Sequence, residues 1–276
     1  MSRVIDAGLF HRLGIAVRGN GEGPSRWFAD TLGAKIESSM PEPGDSHLTT
    51  MLQLGPTTVA LFTAALDDTT GTIGRYIDRY GAGLHSLAWR VSDLEGAETR
   101  VRERGLTVTG INREARHWFL HPKETCGILI ELTDQDADQP RRSVQGPGPV
   151  REIAWMTAVV ENADAARALF EELLGATVVP GLPAGPPEDE TTLDLAIGDV
   201  VLRLVQPRSE ASRYAASGDI RKGLHSFAVR VDDLDKVPSP VVDHDGQVVW
   251  TDPAQTLGLR LEWTTQSVDQ PNPATG

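Results

Sequence analysis

The chain has 276 residues, a formal net charge of -13 at pH 7 and a single cysteine, Cys126. That length allows one or two domains with unstapled cores, the lone thiol excludes an internal disulfide framework, and the acidity excludes general nucleic-acid binding. No apolar run is long enough for a signal peptide or a membrane span, so a cytoplasmic protein with neither membrane nor nucleic-acid partners is expected.

The first element in chain order is a short β-branched strand around Ile15-Ala16-Val17, followed by a helix from Trp27 that Gly33 should stop. Two strands come next, Thr49–Leu54 and Thr57–Phe62, joined by a Gly-Pro turn. The phrase Gly83-Leu84-His85-Ser86-Leu87-Ala88-Trp89-Arg90-Val91-Ser92-Asp93-Leu94 then opens a second unit. Leu87–Val91 reads as a strand. Asp93–Arg104 reads as an amphipathic helix with Leu94, Ala97 and Val101 on one face, ended by Gly105. Strands around Val108, Trp118-Phe119 and Ile128–Leu132 close this first module, 8–134.

Residues 135–149 are polar and rich in Pro and Gly, as in a linker. The second module, 150–266, repeats the first. Thr157-Ala158-Val159 superposes on the first strand, and Gly175 on Gly33, at a constant offset of 142. Strands Thr191–Ile197 and Val200–Val205 follow, and then the phrase returns as Gly223-Leu224-His225-Ser226-Phe227-Ala228-Val229-Arg230-Val231-Asp232-Asp233-Leu234. Pro238 and Pro240 interrupt the helix that should come after it. A repeat of this kind sets the architecture: an α+β chain of four βαβββ units.

Four motifs carry a family likeness: His11-Arg12-Leu13-Gly14-Ile15-Ala16-Val17, Gly83–Leu94, Phe119-Leu120-His121-Pro122-Lys123 and Gly127–Leu132. They resemble the vicinal oxygen chelate superfamily of glyoxalases, bleomycin-resistance proteins and extradiol dioxygenases, the first module being most similar to methylmalonyl-CoA epimerases. The resemblance implies tandem modules forming two half-barrel sheets, each with a cavity for a divalent metal. The family ligands would be a first-strand His, a Gln or Glu, the second His of a Gly-Leu-His-His run, and a Glu. Carried over position by position, they fall on Arg12, Ala60, Ser86 and Glu131, and in the second module on Ala154, Arg203, Ser226 and Glu262. One carboxylate beside a guanidinium is not a metal site, since arginine cannot ligate, so no metal and no cofactor is expected. His11 and His85 lie one residue out of register and should face away from the cavity unless a bulge turns them.

In each cavity an arginine should meet the surviving carboxylate, Arg12 with Glu131 and Arg203 with Glu262. Either Glu131 is a general base beside an oxygen-binding Arg12, or each pair is a buried bridge filling a dead site. Glu42 is a candidate second acid/base, or an exposed loop carboxylate. Ser86, Ala60 and Arg90, with Arg203, Ser226 and Glu262, are candidate substrate-binding positions, Arg90 and Arg230 being equally readable as solvated strand ends. The functions in contention are a metal-independent isomerase, epimerase, cyclase or lyase acting on a small carbonyl, acyl or polyketide-like substrate, a small-molecule sequestration protein, and a conventional metal-dependent epimerase or glyoxalase. The expected partner is a small-molecule ligand, in a monomer with internally paired modules or in a homodimer.

Overall fold

A computed structural model describes residues 3–42, 44–135, 148–180, 188–215, 222–238, 241–244 and 247–266. In the first module, β1 (Phe10–Arg18) leads to α1 (Gly23–Trp27), which runs on as a π turn over Phe28–Leu32. Then come β2 (Lys35–Pro41), β3 (Leu48–Leu54), β4 (Thr57–Ala64) and α2 (Thr72–Tyr80). The second unit is β5 (Gly83–Arg90), α3 (Leu94–Glu103), β6 (Val108–Asn112), β7 (His117–Leu120) and β8 (Ile130–Thr133). They form one eight-stranded sheet in the order β2-β3-β4-β1-β5-β8-β7-β6. Parallel pairs β1/β4 and β5/β8 flank the antiparallel pair β1/β5, so two βαβββ units meet at the centre of the sheet.

The second module comprises β9 (Val150–Val159), α4 (Ala163–Leu174), β10 (Thr177–Val178), β11 (Glu190–Ile197), β12 (Val200–Pro207), β13 (Gly223–Val231), β14 (Val241–His244), β15 (Val248–Thr251) and β16 (Leu261–Thr264). Its sheet order, β10-β11-β12-β9-β13-β16-β15-β14, repeats the first. The α+β architecture read from the repeat therefore holds. No helix among the described residues is long and apolar enough to cross a membrane.

Strand alternation assigns the two faces. Leu13, Ile15 and Val17 of β1 join Leu52, Leu61, Leu87 and Trp89 in a buried core under the helices, and this core continues into Met156, Ala158 and Phe227 of the second module. Arg12, Gly14 and Ala16 face the other way, onto what we call the inner face. Gly33 and Gly175 end their helices in the left-handed region, at φ 77 and 67, as the sequence indicates. Asp93 caps α3 by accepting from Gly96 N at 2.8 Å. In the second module the matching segment is only a 3-10 turn over Leu234–Lys236.

Helix α2 is not anticipated by the sequence reading. Its Ile73 and Ile77 pack on Ala16 and Ala64, covering one end of the first inner face. The proposed linker falls mostly on 136–147, outside the described residues.

The modules dock by an exchange of hairpin turns. Gly198 in the β11–β12 turn lies so close to the first module that a Cβ there would stand 2.2 Å from Gly8 O. The neighbouring Asp199 accepts from Phe10 N at 2.7 Å, and Trp89 Nε1 donates to Ile197 O at 3.2 Å. On the other side, a Cβ on Gly55 of the β3–β4 turn would stand 2.1 Å from Arg151 O. Both glycines have positive φ, 57 and 61, so the turn and the close approach each select glycine.

Candidate functional site

The first inner face is built from register. Arg12 of β1 stands opposite Ala88 of β5, and Ala88 opposite Glu131 of β8, so Arg12 and Glu131 meet across one strand. Arg12 Nη2 donates to Glu131 Oε1 in a direct ion pair whose side chains are 18% and 4% exposed. Phe119 of β7 pairs with Glu131, and His117, two residues earlier, brings its Nδ1 to 3.8 Å from Glu131 Oε1. Burial lowers the His117 pKa against the pull of Glu131, with Arg12 adding to the depression, so the ring is neutral at pH 7.

The other predicted positions gather on the same face. Ala60 (β4) pairs with Gly14 and with Met51, and Ser86 pairs with Gly14. A Cβ on residue 14 would lie 2.3 Å from Ser86 Oγ, so a side chain there would push into the serine. Ala60 and Ser86 are buried, at 2% and 3% exposure. Glu42 accepts from Thr49 Oγ1 at 3.2 Å and acts electrostatically on His117, which places it at the rim of the face rather than on a remote loop. Arg90 Nε donates to His11 Nδ1 at 3.3 Å.

Two bulges correct the orientation read for the histidines. The pairing jumps from Phe10↔Trp89 to Arg12↔Ala88, leaving His11 as the extra residue, and from Gly14↔Ser86 to Ile15↔Leu84, leaving His85. Both rings are turned toward the inner face. His11 lies between two arginines, its Nε2 2.9 Å from Arg12 Nη1. Burial first, then the charges of Arg12 and Arg90, lower its pKa to about 3. His85 packs edge-on against Phe62 and Tyr76 at centroid distances of 5.4 and 4.8 Å.

The second inner face shows that the constant offset fails in the first strand. Arg203 pairs with Thr157 as Ala60 pairs with Gly14, and Trp155 pairs with Ala228 as Arg12 pairs with Ala88. The residue in the place of Arg12 is therefore Trp155, and Ala154 takes the bulge position of His11. A one-residue difference between strand and helix hid this. Trp155 Nε1 and Thr157 Oγ1 each donate to Glu262 at 3.2 Å, and Ser226 Oγ donates to Glu262 Oε1. The arginine is also held differently from the reading. Arg203 is clamped by Asp194, Nε to Oδ1 at 2.8 Å and Nη2 to Oδ2 at 3.2 Å, and stacks 4.6 Å over Trp155. Burial acts to lower the Arg203 pKa, and Asp194 first, then the charge of Glu262, raise it on balance.

Glu262 is 0% exposed, and Arg203 and Asp194 each 3%. Tyr214 fills the end that α2 covers in the first module, ringed against His225 at 5.0 Å as Tyr76 is against His85. Arg213 stacks 3.8 Å over Trp250, the residue opposite Glu262. The second face is thus filled by its own side chains. Arg230 Nε donates to Glu152 Oε1 at 2.7 Å.

His117 and Asp194 are the main residues the sequence reading missed. His117 was within reach of it: Trp118 and Leu120 are core residues, so alternation sends residues 117 and 119 to the inner face beside the last strand.

The donor set does not suit the superfamily's divalent metal. Of the four carried-over positions only Glu131 can ligate, and Arg12 is already on it. His11 has both nitrogens against guanidinium groups, and a cation there would meet two fixed positive charges; His117, 3.8 Å from Glu131, adds one imidazole to that single carboxylate. Among the described residues no three His, Cys, Asp or Glu side chains come together as a metal site.

Comparison with known proteins agrees with this architecture. Residues 152–260 match the Glyoxalase/Bleomycin resistance protein/Dioxygenase superfamily, a match that falls on the second module although most of the motif residues stand in the first. An ethylmalonyl-CoA/methylmalonyl-CoA epimerase from Cereibacter sphaeroides is 28% identical over 117 residues, covering 40% of this chain and 87% of that protein. A mutant 4-hydroxymandelate synthase from Streptomyces coelicolor superposes with a TM-score of 0.66 at 15% identity, covering 93% of this chain and 92% of that one. That likeness concerns the fold, and it extends across both modules. The methylmalonyl-CoA epimerase of Mycobacterium tuberculosis is 26% identical, with a TM-score of 0.41, over 48% of this chain and 90% of that one.

Proposed function

We propose that this tandem of vicinal oxygen chelate modules holds one working site, in the first module, which acts without a metal on a small carbonyl or acyl substrate by proton transfer next to the carbonyl. The observation that carries the reading is the Arg12–Glu131 pair on a face that keeps access to solvent, beside His117, where the second module has a closed network. A substrate oxygen entering the pair takes Arg12's donors and releases Glu131 as a base. Glu131 then removes the proton from the adjacent carbon, and the electron pair moves onto the oxygen, which Arg12 stabilises as an enolate. Glu42 at the rim, entering the cycle protonated, returns a proton to the carbon and leaves as carboxylate, while the neutral His117 stands beside Glu131 as a hydrogen-bonding group rather than an acid. Return to the opposite side gives epimerisation; loss of a leaving group in its place gives lyase chemistry.

The relative from Cereibacter sphaeroides makes short branched acyl-CoA thioesters the first substrates to test. Glu131→Gln should abolish turnover while preserving fold and ligand binding. Retained turnover would overturn the reading. A second reading, ligand sequestration, is supported by the ion pair itself, since Arg12 already occupies the carboxylate oxygen that would take the proton. It predicts that Glu131→Gln changes affinity alone. The unit carrying either function would be the internally paired chain, with the second module as structural support.

A further inference from the structure

The seam between the modules is not closed along its whole length. Near the start of β13 backbone meets backbone: a Cβ on Gly223 would stand 2.2 Å from Gly127 O. Beside that contact lies a cavity of about 220 Å³. The first module lines it with Tyr76, Tyr80, Leu84 and Leu129, and the second with Leu224 and Lys222. His85 lines it too, with Tyr76 against its ring at 4.8 Å, but Arg12 and Glu131 do not.

The aromatic wall follows from the sequence of α2. Ile73 and Ile77 form its packing stripe against Ala16 and Ala64, and Tyr76 and Tyr80, one turn apart, fall on another side of the helix. Their rings lie 5.2 Å apart, Tyr76 Oη donates to Leu84 O at 2.6 Å, and Tyr80 is 42% exposed. The lining is therefore apolar: three leucines and two ring faces, with no acidic side chain among the described residues that form it. Its one fixed charge is the Lys222 ammonium, bridged to Glu161 at 2.7 Å by side chains that are 52% and 79% exposed. A pairing so open to water is worth little, and another anion can take the place of Glu161.

We propose that this seam cavity is a second ligand site, which binds an apolar monoanion: a carboxylate on an aliphatic chain of medium length. The chain lies among the leucines and the tyrosine rings, and the carboxylate meets Lys222 in place of Glu161. The volume suits such a chain and excludes a drug-sized body. The site is separate from the Arg12–Glu131 face and does not depend on that face being catalytic. Because its ligand touches both modules at once, binding adds to the stability of their docking.

The test is calorimetric titration of the intact protein with octanoate, hexanoate, acetate and octylamine, with the thermal midpoint followed in each. Octanoate should bind saturably, at one equivalent per chain, and raise the midpoint. Hexanoate, two methylenes shorter, should bind about tenfold more weakly, and acetate and octylamine should not bind. Tyr80→Ala should weaken octanoate about tenfold and Lys222→Gln about fivefold. Glu131→Gln, which frees Arg12 for an anion, should leave octanoate binding unchanged. Octanoate binding no better than acetate, octylamine binding as well as octanoate, or more than one equivalent per chain would overturn the assignment. So would tighter binding in Glu131→Gln, which would move the ligand to the inner face, or unaltered affinity in both Tyr80→Ala and Lys222→Gln. If either of those variants does not fold, the chain-length and charge series on the unaltered protein decides alone.

Discussion

The two inner faces share a strand order and a surviving carboxylate, yet they use that carboxylate in opposite ways. Glu262 accepts from Trp155, Thr157 and Ser226 and is closed from solvent. Glu131 has one arginine and a histidine at 3.8 Å. The differences arise at four positions: Trp155 for Arg12, Thr157 for Gly14, Arg203 for Ala60 and Asp194 for Met51. Where the first face has small residues the second has a packed ionic layer, so the same sheet holds this carboxylate either in a single ion pair or at the centre of a core.

The sharpest break between the two concerns stability. Asp194→Ala leaves Arg203 buried without its clamp and should cost about 3–5 kcal/mol, measured by denaturant unfolding. Glu131→Gln keeps a hydrogen-bonding oxygen for Arg12, whose side chain is 18% exposed, and should cost less, about 1–3 kcal/mol, while lowering turnover by about a hundredfold or more. Comparable losses of stability would mean that the first pair is also a filling. Next come the docking turns. Gly198→Ala and Gly55→Ala each add a clash with backbone at a positive φ, and each should destabilise by about 2–4 kcal/mol. A large difference between them would show that the two seams are not equivalent.

Acid should separate the modules as well. The His11 pKa falls from 6.5 to about 3 on folding, so the unfolded chain binds more protons in that window. Stability then drops as the pH falls from about 6.5 toward 3. His117 shifts in the same direction. Ala154, in the place of His11, has no ring to titrate, so His11→Ala should flatten the acid limb of the thermal midpoint. The smallest effect is at the caps: Asp93→Ala removes the bond to Gly96 N and should cost about 1 kcal/mol, with Asp233→Ala, which caps a three-residue turn, costing less.

The strands, the hairpin glycines and the helix stops were legible because alternation and left-handed glycines act locally. The inner faces were legible only in part. A bulge adds a residue without leaving a compositional mark, so His11 and His85 look misplaced until the pairing is seen. The same blindness set Ala154 against Arg12, since motif matching tolerates a one-residue slip that strand pairing does not. Asp194 sits in an apolar strand and gains its meaning from Arg203, a neighbour supplied by pairing. Helix α2 has two apolar contact positions, Ile73 and Ile77, too few to assert a period.

The exchanged turns at Gly55 and Gly198 have a consequence for how the molecule could be taken apart. Because each half supplies a hairpin that the other half receives, the seam is a reciprocal handshake between two partners. Two polypeptides, 1–135 and 148–276, produced together should therefore find each other and restore the whole. A pair formed in that way could carry a change in one half while the other is kept constant, much as a heterodimer does.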